Sequence, residues 1–114
     1  VVIADRFTSS TMAYQGYGRG LDRELIERLN REAAGGLEPD LTVLLDLPVE
    51  TALARKGKGN GDNFDGAPVD FHRKIRRGYT ALAAADPGGW LVLDGQRPPE
   101  DLGREIWVKV QSIL

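Results

Sequence analysis

The residues of this chain best suited to chemistry lie near its start. Asp5 and Arg6 are adjacent, four hydroxyl side chains follow in Thr8, Ser9, Ser10 and Thr11, and Tyr14 and Gln15 come close behind. A guanidinium presents a planar fork that hydrogen-bonds a phosphate monoester bidentately. A carboxylate beside it suits magnesium, usually through water. An isolated Asp-Arg pair is also what a surface ion pair looks like, so the surrounding hydroxyls, ring and amide carry the reading toward a ligand. Tyr14-Gln15-Gly16 and Gly18-Arg19-Gly20 combine an aromatic ring, an amide and close backbone approach. That combination suits a nucleobase and sugar, and taken alone it is also a glycine-rich turn.

A second group lies in the middle of the chain. Arg55, Lys56 and Lys58 precede Asp62, Asn63, Phe64 and Asp65 within the stretch 56–68, KGKGNGDNFDGAP. The stretch is too glycine-rich for a stable helix and too polar to bury, which leaves a plain surface loop or a mobile lid. As a lid, its cations would close over a polyphosphate, offset charge that develops in phosphoryl transfer, and exclude competing water. His72 stands before Arg73, Lys74, Arg76 and Arg77 and reads as a solvated or partly packed helix residue, not as a base.

Strands and helices must position these groups. Val1 to Asp5, Leu41 to Leu47 and Trp90 to Asp94 are apolar runs that end at or near an Asp, the pattern of strands in a parallel sheet. Ligands of such sheets sit at the carboxyl ends of the strands. Helical spacing places Leu21, Leu25, Ile26 and Leu29 on one face of a segment from about Asp22 to Ala33. Phe71, Ile75, Tyr79 and Leu82 share the face of another helix, and Leu102, Ile106, Val110 and Ile113 that of a last one. The last begins at Pro98-Pro99, with Glu100 and Asp101 suited to the positive end of a helix dipole. The hydroxyl run reads as the cap of a helix that starts near Ser10. Strands alternating with helices predict an α/β domain with a largely parallel sheet and flanking helices.

Composition bounds the function. With 114 residues, 41% hydrophobic and 28% charged, the chain has the size and balance of one modest globular domain. A net charge of −2 argues against general nucleic-acid or membrane-surface binding, so phosphate chemistry must be local. No cysteine and a single histidine exclude a disulfide framework and a thiolate or histidine-rich zinc site. No run approaches a membrane span and no signal-like segment opens the chain, so a cytoplasmic location is expected. The chain lacks an initiating Met, which suggests trimming.

The blocks DRFTSSTMAYQGYGRG, LEPDLTVLLDLPVETALAR and DNFDGAPVDFHRKIRRGYTALAAADP, followed by a strand that ends in Asp94, resemble the carboxyl-terminal part of bacterial thymidylate kinase. The most specific piece is DR with S-x-x-A-Y-Q-G and the following G-R-G. The resemblance implies a P-loop-type nucleoside-monophosphate-kinase fold and transfer of a phosphoryl group from ATP to dTMP with magnesium, giving dTDP for dTTP synthesis. It places Arg6 on the acceptor phosphate and Asp5 near the metal and reacting phosphates. Thr11 and Gln15 fall near the thymine, with Ser10 in the same substrate-binding segment, and Tyr14 falls beside the deoxyribose. Arg55 falls near the adenine and phosphates of ATP, and Asp94, Gly95 and Gln96 border the adenine pocket. The family's lid commonly reads D-R-x-E where this chain has Asp62-Asn63-Phe64-Asp65, so Lys56 and Lys58 are the candidates for the missing charge. Asp65 stands at the carboxylate position on the substrate side.

The family also carries the loop G-x-x-x-x-G-K-[ST] on a first strand, and the 114 residues contain no such motif. The expectation is that the chain is part of a larger kinase or half of a two-part protein, a partial single domain that is inactive alone. The resemblance places the first strand between those of Val1 to Asp5 and Leu41 to Leu47. Without it, these two should have unpaired edges or pair directly. It also implies a homodimer. Two other functions fit the same residues: a kinase of deoxynucleosides or other nucleotides with this architecture, and a non-catalytic nucleotide-binding or interaction module.

Overall fold

Two parallel strands and the helix that crosses beside them organise the molecule. The computed structural model describes residues 1–56, 63–64 and 67–114. The element order is α1 (Thr8–Thr11), a π-helix (Met12–Gly18), α2 (Arg23–Ala33), β1 (Thr42–Asp46), α3 (Val49–Lys56), β2 (Asn63–Phe64), β3 (Ala67–Pro68), α4 (Val69–Ala85), β4 (Trp90–Asp94) and α5 (Pro99–Ile113). β1 and β4 pair in parallel from Thr42 opposite Trp90 to Asp46 opposite Asp94. Both strands therefore finish on a carboxylate at the same edge. β2 and β3 form a separate antiparallel pair, Asn63 opposite Pro68 and Phe64 opposite Ala67.

Local chemistry sets the helix limits. The Asp22 side chain accepts from the Glu24 N–H at 3.0 Å and caps α2. At the other end Gly35 and Gly36 take φ of +64° and +81°, and the Gly36 N–H returns to the Arg31 carbonyl at 2.9 Å. Glycine reaches that left-handed backbone without a Cβ clash. Pro98 and Pro99 begin α5, and Glu100 and Asp101 occupy its first turn as the sequence predicts.

The π-helix is held by contacts on two sides. The Arg19 N–H reaches the Tyr14 carbonyl five residues back at 3.0 Å, a wider turn than an α-helix makes. Its inner face lies on α4: a Cβ placed on Gly78 would stand 2.7 Å from the Tyr17 Cβ, and one on Gly18 would stand 3.1 Å from the Phe71 Cζ. Glycine at these two crossing points lets the helices approach at backbone distance.

The core is shallow. Ala13, Ile26, Val49, Ile75, Ala83, Leu93 and Leu102 are buried, together with His72. The accessible surface is 8016 Å², against about 6,200 Å² for a compact monomer of this mass. The sheet is open too, with Leu45 and Val92 each 50% exposed. The architecture is an α/β fold with an incomplete parallel sheet.

Four sequence expectations need correction. Val1 to Asp5 is not a strand: its first three residues are 92–97% exposed and no ladder partner lies beside it among the described residues. An apolar run becomes a strand only when neighbours satisfy its backbone, and among the described residues none lies beside this one. Of the two alternatives for the strand edges, the structure shows the unpaired one. The helix near Ser10 begins earlier, at Thr8, without a side-chain cap. Along α2 only Ile26 of the expected face is buried, while Leu21, Leu25 and Leu29 are 44–56% exposed. His72, expected to be solvated or partly packed, is buried. Most of the 56–68 stretch, with Lys58, Asp62 and Asp65 and the side chain of Lys56, lies outside the described residues.

Candidate functional site

Arg6 connects the first segment to the helices. It is the one non-glycine residue with positive φ among those described, at +69°. For an L-residue the left-handed region costs roughly 1–2 kcal/mol, because the Cβ crowds the carbonyl oxygen. This backbone accompanies a guanidinium whose Cζ sits 5.5 Å from the centroid of the Tyr14 ring. Two residues that the sequence assigned to phosphate and sugar are thus brought together. Tyr14 in turn meets Phe71 of α4, ring centroids 6.2 Å apart and tilted by 59°, and the Arg19 guanidinium lies 5.5 Å from the Phe71 centroid. Two cations bracket two rings across four residues: Arg6, Tyr14, Phe71, Arg19.

The neighbouring side chains divide. Thr11 is exposed and Gln15 half-buried on the π-helical segment. Ser10 is engaged elsewhere, its Oγ 2.7 Å from the Tyr79 hydroxyl, so it fastens α1 to α4. Asn30 of α2 donates to the Thr8 carbonyl at 3.1 Å and fixes the same turn from the other side. Asp5 is exposed. Among the described residues no cluster of three or more metal-type ligands exists. A single open carboxylate fits magnesium, which keeps most of its waters and takes its remaining ligands from substrate phosphates.

The second group gathers where the strands end. The Arg55 Nη1 donates to the Gly95 carbonyl at 3.1 Å, joining two residues predicted for the nucleotide side. The turn after β4 is built tightly: the Gln96 N–H is held by the Asp94 carboxylate at 2.9 Å, and the Gly95 N–H by the Asp46 carbonyl at 2.9 Å. Gly95 has no room for a side chain, since a Cβ would stand 2.8 Å from the Leu47 Cδ2.

Sequence reading missed the ionic frame beneath this edge. Arg76 of α4 grips Asp46 with two bonds, Nε to Oδ1 at 2.8 Å and Nη2 to Oδ2 at 3.1 Å. Its charged form is favoured above the usual arginine range, first by that hydrogen bond. Arg73 bonds both Glu50 of α3 and Asp70. The hydrogen bond from Arg73 holds the Glu50 carboxyl below the usual glutamate range. The available signal was Asp46 at a strand end together with arginines three apart on one helix, but spacing alone does not pair them across 30 residues.

The α4 helix touches both groups, with Phe71, Gly78 and Tyr79 against the first segment and Arg76 against the strand end. The arrangement offers a guanidinium held beside an aromatic ring, and a closed turn beside a second arginine. A guanidinium can hydrogen-bond a phosphate and an aromatic ring can pack on a base.

Comparison with known proteins identifies a family. The family model described as thymidylate kinase matches residues 1–106. Thymidylate kinase of Desulfovibrio desulfuricans is 53% identical, with all of this chain aligned to 56% of that protein. Thymidylate kinase of Desulforudis audaxviator is 46% identical, with all of this chain aligned to 52% of it. The chain thus spans about half the length of the curated relatives it matches. A crystal structure of thymidylate kinase from Ehrlichia chaffeensis superposes with a TM-score of 0.68 at 27% identity, covering 98% of this chain and 50% of that one. With the family model matched across nearly its whole length, the chain belongs to the thymidylate kinase family.

Proposed function

We propose that the full-length polypeptide carrying these residues transfers the γ-phosphoryl group of ATP to dTMP, giving dTDP and ADP. The observation that carries this reading is the family match over residues 1–106. The left-handed Arg6 beside Tyr14 supports it on the acceptor side, and Arg55 on the Gly95 carbonyl supports it on the donor side.

In the reaction an oxygen of the dTMP phosphate attacks the γ-phosphorus. The new O–P bond forms as the bond to the β,γ-bridging oxygen breaks, and ADP leaves with that electron pair. Arg6 holds the acceptor phosphate in line and offsets its charge, which otherwise repels the incoming polyphosphate. Tyr14 packs on the deoxyribose, while Thr11 and Gln15 meet the thymine edge. Arg55 lies along the ATP phosphates, and the Asp94-Gly95-Gln96 turn borders the adenine. Lys56 and Lys58 add positive charge on the donor side, and Asp65 belongs to the acceptor side. Magnesium, held near Asp5 through water, neutralises phosphate charge when bound. A homodimer formed by helix packing belongs to the same reading, supported by the exposed Leu25 and Leu29 of α2.

The 114-residue chain alone is expected to show no turnover, since the loop that cradles phosphates is not among its residues. A coupled assay with ATP and dTMP tests both statements. Turnover above background by the 114 residues alone would contradict the second. Preference of the full-length polypeptide for thymidine over dTMP, or dTMP binding without turnover, would overturn the first.

A further inference from the structure

Phe71 is absent from every set of residues assigned above to substrate, yet it sits at the centre of the cation–ring series. It lies in the first turn and a half of α4 and is half-buried. Beside the edge-on His72 ring, 5.8 Å away between centroids, three contacts fix its ring. Gly18 closes over it, leaving space for no Cβ beyond 3.1 Å from the Cζ, while the Arg19 guanidinium stands 5.5 Å from its centroid. Its third neighbour is Tyr14, at 6.2 Å between centroids. The Tyr14 ring meets Phe71 at a tilt of 59°, and the Arg6 guanidinium stands 5.5 Å from the Tyr14 centroid. Arg6 itself is exposed, so its side chain has few other restraints.

We propose that Phe71 is a positioning residue for the acceptor site: it fixes the Tyr14 ring, and through that ring it sets where the Arg6 guanidinium waits for the phosphate of a nucleoside monophosphate. Phe71 touches no substrate. It limits the directions open to Tyr14 and Arg6, so part of their ordering is complete before the ligand arrives. This rests on the acceptor reading of Arg6 given above, and the ligand pair in the test separates the two.

The experiment measures dTMP and thymidine binding by titration calorimetry on the full-length polypeptide, because only dTMP carries the phosphate that Arg6 is proposed to hold. Phe71→Leu should weaken dTMP binding about 3- to 10-fold, the scale of one aromatic pair with its cation, and weaken thymidine binding less. Phe71→Tyr keeps the ring and should restore the wild-type preference. With Arg6→Gln already present, Phe71→Leu should cost little further, since the group it positions is gone. Circular dichroism verifies that each variant is folded. If Phe71→Leu unfolds, Phe71→Met, of similar volume and without a ring, replaces it.

Equal losses for dTMP and thymidine would overturn the proposal, as would full additivity with Arg6→Gln, because both mark Phe71 as packing alone. A wild-type protein that binds dTMP no better than thymidine would instead refute the phosphate role of Arg6, and this proposal with it.

Discussion

Replacing Gly78 by alanine should destabilise the protein although alanine is the better helix former. In a helix interior the exchange alone favours alanine by about 0.8–1 kcal/mol. At this position the added Cβ would meet the Tyr17 Cβ at 2.7 Å, its Cγ at 2.8 Å and its Cδ2 at 2.9 Å. The Tyr17 Cβ is tied to the backbone of the π-helix, and the Arg23 guanidinium lies 4.5 Å from the ring centroid, so the tyrosine cannot swing clear without losing contacts. Three contacts under 3.0 Å put the overpacking in the upper part of its usual range, about 2–3 kcal/mol, and with the propensity gain subtracted the net loss is about 1–2 kcal/mol. Gly103 of α5 is the internal control, because nothing lies within 4 Å of a Cβ built there. Gly103→Ala should therefore gain about 1 kcal/mol from propensity. Urea denaturation followed by circular dichroism gives both midpoints, and the two substitutions should move them in opposite directions. A Gly78→Ala protein as stable as wild type would refute the tight crossing of the π-helix on α4. A separation of the two midpoints in the reverse order would do so more strongly.

Two further outcomes follow from the site. Arg6→Gly relieves the left-handed backbone, so thermal melting should show stability unchanged or raised by about 1 kcal/mol, even as calorimetry shows dTMP binding weakened about tenfold or more; a clear loss of stability would mean that Arg6 holds the fold and not a ligand. The hydrogen bond from Arg73 lowers the Glu50 pKa in the folded state, so its contribution is present above the ordinary value of 4.5 and is lost as pH falls through the lowered one. Urea midpoints of wild type and Glu50→Gln should accordingly differ at neutral pH and converge in acid, and a gap that persisted or widened in acid would contradict the sign.

The fold was legible where sequence periodicity meets a partner inside the chain. β1 and β4 alternate with helices and pair as expected, and α2, α4 and α5 occupy their predicted segments. Val1 to Ile3 read as a strand because apolarity records a demand for burial, and the sequence does not say which backbone meets that demand. α3 was not foreseen, because VETALARK is only eight residues long and its apolar positions make a short stripe. At the site, Arg6, Tyr14, Arg55 and Gly95 could be chosen by residue type and motif. The left-handed φ of Arg6 could not, since positive φ is signalled by glycine or asparagine and arginine conceals it. Phe71 read simply as an apolar face residue, because its contact with Tyr14 spans 57 positions of sequence and appears only when α4 crosses the π-helix. Ser10 was assigned to a ligand for its hydroxyl, and the structure gives that hydroxyl to Tyr79.

The two working faces of α4 have a mechanical meaning. Phe71, Gly78 and Tyr79 meet α1 and the π-helix while Arg73 and Arg76 meet α3 and β1, all on one stiff rod. Each residue added to a helix turns everything beyond it by about 100°. A single insertion between Phe71 and Arg76 would therefore swing the ring and the arginine out of phase, and no local repacking could reseat both. Substitutions confined to one side leave the other in register. The helix behaves as a camshaft: its lobes can be recut one at a time, but their timing is common, and the two halves of the site inherit that timing from a single piece of backbone.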